Sequence, residues 1–532
     1  MQEDHGNVDL YDDYLSGSEY LDAFLQGNID DHDTVLLLSI DGAQLYEKKT
    51  SDCWIRIWVI MDFHPELRYK KKLILFGGIF PGPHKPKHFD SLTFPGIHHL
   101  SALQREGFLV WDASDDAVYT SHPFFIFGTA DGPGVTHLNG LTGHVGYYSY
   151  RHYCPIKGRR APGERKYYPA HLKPYGDLPQ GSDHDDCNFA RLPVHPADEY
   201  KQNLAYLIAS RNANQYTDRR RLTGIVKPSL FSGLVPYRML SIPGCFPGDL
   251  MHLIALNITD LLLSLWHGTI ACKAPDHRST WRWMVLIDEV WKDHSKHVAN
   301  MTPHLPGSFD VPPRNPAERI SSGYKAKEFL TYIFVLGPAL LVDLLPNPYF
   351  QNFCKLVSAV RSIHQRRITP QDVVDSHNLL VEFVQEFETI YYQRKPERLH
   401  FCRPSIHSLL HLAREVIRLG PPCYYTQWTM ERTIGNITEE MKQPSRSYQN
   451  LSQRGLRRTQ VNALKAMAPE LDKPVKDPRG SEAVGNGYLL LRAKDKSMNK
   501  IVGPASEVIR QYMQQETAMV DNNWTPHVHR WA

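Results

Sequence analysis

The sequence predicts an α/β fold in which a short sheet-forming region precedes a long helical one. Two observations predict it. Between residues 34 and 131, three apolar runs, a helical stretch and a fourth apolar run follow one another. Between residues 249 and 467, apolar residues recur at helical spacing almost without a break. With 532 residues, 42% of them hydrophobic and 22% charged, the chain can bury several structural units.

Each element has its own signal. Val35-Leu36-Leu37-Leu38-Ser39-Ile40 reads as a buried strand that leaves its sheet at Asp41-Gly42. Trp54–Ile60, β-branched and aromatic, is a second strand, and Leu73–Phe76 before Gly77-Gly78 a third. Ile97–Glu106 reads as one helix. Phe124–Phe127 is a fourth strand, running into Gly128-Thr129-Ala130-Asp131-Gly132-Pro133-Gly134. Residues 155–195, rich in Pro, Gly and basic side chains, read as loop. Helical spacing then marks Asp249–Trp266, Thr280–Val298, Lys325–Leu336, Phe350–Arg366, Pro370–Tyr392 and Ser405–Leu419. Thr369 caps the helix that opens on Pro370. Tyr425–Lys442 and Asn450–Met467 are two more helices, and Gly487–Leu491 is a single late strand. The chain divides into an acidic tail (1–33), the first part of the core with a basic loop (34–195), a helical insertion (196–400), helices completing the core (401–471) and a weakly defined end (472–532).

Charge separates the tail from the body. The 60 Lys and Arg against 57 Asp and Glu give +3, but residues 1–33 hold ten acids and no Lys or Arg. The remainder is therefore basic, which suits a polyanion partner; the acidic leader either competes for that surface or is merely solvated. The same leader lacks the basic start and apolar run of a signal peptide. Eight scattered cysteines without a C-x-x-C fit a reducing compartment. Phe329–Leu345 is short for a membrane span, is broken by Gly337-Pro338 and carries Asp343, so a buried helix pair is expected there.

Asp41 and Asp131 each stand at a predicted strand end, where a rigid backbone opens toward solvent. If the first and fourth strands are neighbours, the two carboxylates meet. Glu431, in Trp428-Thr429-Met430-Glu431-Arg432, is the candidate third acid. Converging carboxylates of this kind hold paired Mg²⁺ or Mn²⁺ for phosphoryl transfer. Glu431 otherwise reads as a helix-face acid paired with Arg432 or Arg457.

Five ordered blocks carry a resemblance. They are Ser39-Ile40-Asp41-Gly42-Ala43-Gln44-Leu45-Tyr46; Thr129-Ala130-Asp131 with Gly140-Leu141-Thr142-Gly143-His144; Cys154-Pro155-Ile156-Lys157-Gly158-Arg159; Pro247-Gly248-Asp249-Leu250-Met251-His252-Leu253; and Gln427-Trp428-Thr429-Met430-Glu431-Arg432-Thr433-Ile434-Gly435 with Leu451-Ser452-Gln453-Arg454-Gly455. From about Val35 to Leu471 the chain resembles CACTA-type DNA transposases, specifically the fungal Plavaka-like group related to plant Tnp2. The resemblance implies an α/β ribonuclease-H-like core interrupted by a large all-α insertion. It implies a DDE triad at Asp41, Asp131 and Glu431, with Mg²⁺ or Mn²⁺ as cofactor. It implies metal-dependent cleavage of DNA at transposon ends and transfer of the freed 3′-hydroxyl into target DNA. The expected setting is the nucleus, with DNA as partner and a homo-oligomer assembled on it, and with no membrane and no small organic cofactor.

Relatives with this inserted architecture often hold a structural zinc between a Cys pair after the second Asp and a His pair before the Glu. Here Cys154, His407 and His411 are the candidate ligands, the two His four apart on one helix face. Tyr150 stands where the family has its other cysteine, with His152 a substitute; the bland alternative is that His407 and His411 only pack in a helical core. His252 reads as a packing or hydrogen-bonding histidine. Three basic clusters are candidate DNA contacts: Lys157, Arg159, Arg160, Arg165 and Lys166; Arg219, Arg220 and Arg221; and Arg454, Arg457 and Arg458. Tyr167, Tyr168 and Tyr175 stand ready to stack on unpaired bases. No zinc finger or helix-turn-helix signature is legible, so the chain reads as a truncated or decayed copy or an incomplete gene model. The rival readings are a catalytically inactive or domesticated DNA-binding derivative and an unrelated metal phosphoesterase.

Overall fold

The computed structural model describes residues 8–45, 52–82, 88–148, 153–194, 196, 198–306, 309, 311–320, 323–441, 445–471, 477–485, 488–491, 497–516 and 521–529. Tyr150 and His152 therefore lie outside the described residues.

Strands β1 (Val35–Gln44), β2 (Asp52–Ile60) and β3 (Ile74–Pro81) form an antiparallel meander. A hairpin of β4 (Phe108–Asp112) and β5 (Ala117–Ser121) precedes β6 (Phe124–Ala130), which returns parallel to β1. The sheet order is β3-β2-β1-β6. A parallel partner needs a crossover, and helix Phe89–Glu106 supplies it, turning Phe89, Thr93, Ile97, Leu100, Ser101 and Gln104 inward at helical spacing. Beyond β6 the segment 239–245 takes a fifth place. Met239 makes a parallel bridge to Phe125, and Gly128 N–H donates to the Cys245 carbonyl at 2.8 Å. Central β1 is covered on both faces, with Leu37, Leu38, Ser39, Ile40 and Asp41 all buried. That explains its unbroken apolar run.

Two local expectations shift and one element is new. Strand β1 does not end at Asp41 but continues to Gln44, still paired to β2. Its pairing with β6 does stop, at Ile40 opposite Ala130. The crossover helix starts at Phe89 rather than Ile97 because it carries Pro95 inside, a residue that locally argues for a helix start. The β4–β5 hairpin had no expectation at all.

The helices build a second apolar core around Trp266, Trp283, Tyr332, Phe353, Phe383 and Tyr391. Helices Asn347–Ile363 and Pro370–Phe387 form its main pair, and Thr369 Oγ1 caps the second by accepting from Asp372 N–H at 3.1 Å. Ala326–Leu341 is one buried helical stretch with a π-helical segment at Leu330–Leu336, and among the described residues no helix is long and apolar enough to cross a membrane. Packing sets the limits of this unit. Leu250 through Val416 contribute to the helical core, whereas Phe231, Met239, Phe246, Leu419, Tyr425, Met430, Ile437 and Leu451 pack with the sheet.

Residues 8–33 are docked on both units. Tyr11 exchanges two backbone hydrogen bonds with Ile368 of the helical unit, each 2.8 Å. Asp13 receives both amino groups of Arg68 at 2.7 and 2.6 Å, Glu19 pairs with Arg418, and Asp33 pairs with Arg238. The acids that suggested a solvated tail include these three, each used as a bolt.

Candidate active site and metal centre

The end of β1/β6 pairing opens a notch in the sheet, and three acids converge on it. Asp41 follows the last paired residue of β1, and Asp131 directly follows β6. Asp131 caps helix Gly132–Asn139, accepting from Gly134 N–H at 2.6 Å. Glu431 comes from the first turn of helix Trp428–Glu439. That helix is pressed on the sheet by Met430, Thr433 and Ile437, which leaves Glu431 exposed on its free side. Among the described residues, no ion pair engages Glu431, so the pairing with Arg432 or Arg457 does not form.

Electrostatics report how near the acids are. Burial first, then the charges of Asp131 and Glu431, push the Asp41 carboxyl from its ordinary 3.8 to about 7. The Gly42 N–H, 2.6 Å from Oδ1, and His252 oppose that rise. The three carboxylates do not form one tight cluster: among the described residues, only Cys154, His407 and His411 bring three ligand atoms within 4.8 Å of each other.

Sequence reasoning missed the residues that brace this notch. Asp249, its side chain largely shielded from solvent, accepts from Thr426 Oγ1 at 2.7 Å, Gln427 N–H at 3.0 Å, and the N–H groups of Met251 and His252 at 3.2 and 3.1 Å. It also bonds His252 Nδ1. Burial alone pulls the His252 imidazole down, but the Asp249 bond and the charges of Asp249, Asp41 and Asp131 outweigh it and raise it to about 9. His252 is thus the hydrogen-bonding histidine expected, with its imidazole shifted toward the protonated form beside the acids. Gln427, itself buried, bonds Ser39 Oγ of β1 at 3.1 Å. One carboxylate and one amide therefore fix β1, the first helix of the insertion and the Glu431 helix to one another. The Asp-x-x-His spacing at a helix start was the available signal; the contact with residues 426–427 had none.

The second centre joins chain segments 250 residues apart. Cys154, in the loop after β6, meets His407 and His411. The two His Nε2 atoms lie 3.1 Å apart. Two nitrogens on one tetrahedral zinc, each 2.0–2.1 Å from it, sit about 3.3 Å apart, so the donors are close to a ligating arrangement. Burial, then His411 and His171, push the His407 imidazole well below its ordinary value, keeping it neutral as a ligand must be. Burial drives the Cys154 thiol up to about 12, with Cys187 contributing. Around them stand two unforeseen groups. Cys187 packs against Cys154 and Ile156. His171, fully buried, lies tilted 5.2 Å from the His407 ring, bonds Glu388 through Nδ1 at 3.2 Å, and among the described residues finds no hydrogen-bond partner for Nε2. Glu388 opens a π turn at Glu388–Tyr392 and also takes the His171 and Leu172 N–H groups. Donor chemistry and spacing fit zinc, and an imidazole backed by a carboxylate, as His171 is by Glu388, is the usual form of a zinc-ligating histidine.

The basic clusters sort unevenly. Lys157, Arg165 and Lys166 are exposed, and Arg160 lies over the Tyr167 ring at 5.4 Å. Arg159 is a correction: it is wholly buried and donates to the carbonyls of Ala170, His171, Ser182, His184 and Asp185, so it folds the loop and is not available to phosphate. Arg458 is a second correction, buried against Glu440 and the Phe76 ring. Arg454 and Arg457 keep solvent access. Arg219, Arg220 and Arg221 sit on helix Ala213–Thr223, Arg219 over the Tyr206 ring at 4.1 Å. Tyr167 and Tyr168 are half-buried; Tyr175 is exposed beside Arg394.

Comparison with known proteins gave no matching family model and no match among curated proteins.

Proposed function

We propose that this chain is a DDE-type transposase core that cleaves DNA strands at transposon ends and transfers the freed 3′-hydroxyl to target DNA. One observation carries the reading: Asp41, Asp131 and Glu431, drawn from β1, the end of β6 and a helix some 300 residues later, lie close enough that the charges of Asp131 and Glu431 add to burial in raising the Asp41 carboxyl. Such mutual repulsion is resolved by cations, and hard carboxylate oxygens suit Mg²⁺ or Mn²⁺. Bound in pairs, those ions activate the attacking oxygen and stabilise the leaving one. The chain's own part is positional. Asp41 is held by the Gly42 N–H, Asp131 by its helix cap, and Glu431 by the Gln427–Asp249 brace. His252 offers positive charge at the rim, where a phosphate must enter, and Lys157, Arg165, Lys166, Arg454 and Arg457 supply sequence-independent backbone contacts. The strand order β3-β2-β1-β6 with a flanking fifth segment agrees with a ribonuclease-H-like core. The zinc centre is the second part of the proposal: Cys154, His407 and His411 hold the ion, with Cys187 and His171 beside them. The site of action is nuclear DNA.

The test is Mn²⁺-dependent nicking of supercoiled plasmid by the full chain, together with joining of a labelled 3′-hydroxyl oligonucleotide to it. Asp41→Asn, Asp131→Asn and Glu431→Gln should each lower both products by about 10³-fold or more, with DNA affinity retained. Variants that cleave like the unmodified chain overturn the reading. An unmodified chain that binds DNA but never cleaves it supports the inactive derivative instead.

A further inference from the structure

The β4–β5 hairpin has two unlike faces. On one, Tyr119 stacks on His32 at 4.5 Å, and Ser121 Oγ bonds Thr34 of the N-terminal segment. On the other, the cross-strand pairs Leu109–Thr120 and Trp111–Val118 stand side by side. That face is bare, with Leu109 76%, Trp111 63% and Val118 62% exposed. A lone two-stranded hairpin is marginal in water, and a bare apolar face on one marks an interface.

The hairpin is also preorganised. Asp112 Oδ1 takes the Ser114 N–H and hydroxyl at 2.8 and 2.7 Å, which fixes the turn. Trp111 Nε1 donates to Asp116 at 3.1 Å, which holds the indole out along the tip. Residues 106–121 contain Glu106, Asp112, Asp115 and Asp116 and no Lys or Arg. Four acids exclude nucleic acid as the occupant. The complement must be apolar and basic.

Such a surface exists on the same chain. The helical hairpin Glu199–Ile208 and Ala213–Thr223 exposes Tyr206, Ile208 and Leu222 among Arg211, Arg220 and Arg221. It rests on its own small core of Leu141, Tyr200, Leu207 and Ile225, apart from both large cores. Over residues 199–223 five bases face two acids.

We propose that two copies of this chain associate by seating the β4–β5 hairpin of each on the Glu199–Thr223 helical hairpin of the other. Trp111 and Leu109 meet Ile208 and Leu222, and the acidic turn faces the arginines. A two-fold pair makes the contact twice. The arginines of this helical hairpin are then committed to protein rather than to DNA, and the association weakens with salt.

Analytical ultracentrifugation of the full chain tests it. The unmodified protein should sediment as a dimer, and Trp111→Asp should raise the dissociation constant more than about 30-fold, the loss one hot-spot residue carries. Asp115→Lys/Asp116→Lys and Arg220→Glu/Arg221→Glu should each give monomers. Their equimolar mixture should recover a heterodimer, because both contacts are then complementary. Circular dichroism and melting of the monomeric variants should match the unmodified chain, since every altered side chain is exposed. A monomeric unmodified chain, a charge variant that stays dimeric, or a mixture that stays monomeric overturns the proposal. So does an Arg220→Glu/Arg221→Glu variant that loses DNA affinity without changing mass, which assigns the helical hairpin to DNA.

Discussion

Replacing Asp41 by Asn should stabilise the metal-free protein while abolishing its chemistry. The folded protein raises the Asp41 carboxyl from 3.8 to about 7, so the folded state keeps that proton longer than the unfolded chain does. Stability therefore falls as pH rises from about 4 to about 7, then levels off. At 1.36 kcal/mol for each pH unit, the cost above pH 7 is about 4 kcal/mol. Asp41 is 7% exposed, so solvent screening removes little of it. Asn keeps the shape and the buried polar group but not the charge beside Asp131 and Glu431. The expected gain in EDTA is about 2–4 kcal/mol at pH 8.5, about half that at pH 5.5 and none near pH 4. Urea midpoints of the two proteins at the three pH values give the comparison. Excess Mn²⁺ should shrink that advantage at pH 8.5, since ligand at a hundred times its dissociation constant adds about 2.7 kcal/mol to the form that binds it. An Asp41→Asn protein that is no more stable than the unmodified one at pH 8.5 in EDTA refutes the raised Asp41 carboxyl, and with it the burial and charge crowding that raise it.

Further outcomes follow from other contacts. Arg68→Ala leaves Asp13 charged and buried and unbolts the N-terminal segment, so chemical denaturation should show a loss of about 3–5 kcal/mol. Cys154→Ser and His411→Ala should each lose one equivalent of zinc by elemental analysis and lower the melting temperature, with no change in Mn²⁺ binding at the acids. Asp249→Asn removes the anion that holds His252 protonated; NMR of the His252 ring should show its pKa falling from about 9 toward its ordinary 6.5. Lys157→Glu/Arg165→Glu should weaken DNA binding uniformly across sequences and lower the salt slope by about 2, whereas Arg159→Ala should instead unfold the 154–187 loop.

What the sequence revealed depended on how local the signal was. The three strands, helix and fourth strand are written in apolar runs, and the Asp41–Asp131 meeting needed only that β1 and β6 be neighbours, which they are. His407 and His411 were expected on one helix face, four residues apart; the helix instead breaks at Leu410–His411, with His407 on Pro404–Leu409 and His411 at the N-cap of Leu412–Leu419, and their Nε2 atoms still lie 3.1 Å apart. Their meeting with Cys154 rested on the resemblance alone, since no periodicity connects residue 154 to residue 407. Residues hidden from the sequence act across the fold. Asp249 stood only at the start of a helical stretch and in one block of the resemblance; its bonds to Thr426 and Gln427, 177 and 178 residues on, appear only in the fold. Arg159 and Arg458 looked like surface charge because composition cannot tell a solvated guanidinium from one satisfied by carbonyls or a buried Glu. The acidic leader misled for the same reason: Asp13, Glu19 and Asp33 find their arginines only in three dimensions.

The most direct test of the central claim is an anomalous difference map from crystals of the full chain soaked in Mn²⁺. The account predicts two peaks about 3.5–4 Å apart in the notch where β1 and β6 part, with Asp41 touching both and with Asp131 and Glu431 each touching one. No peak there, or a single peak that leaves Glu431 unengaged, contradicts the DDE reading.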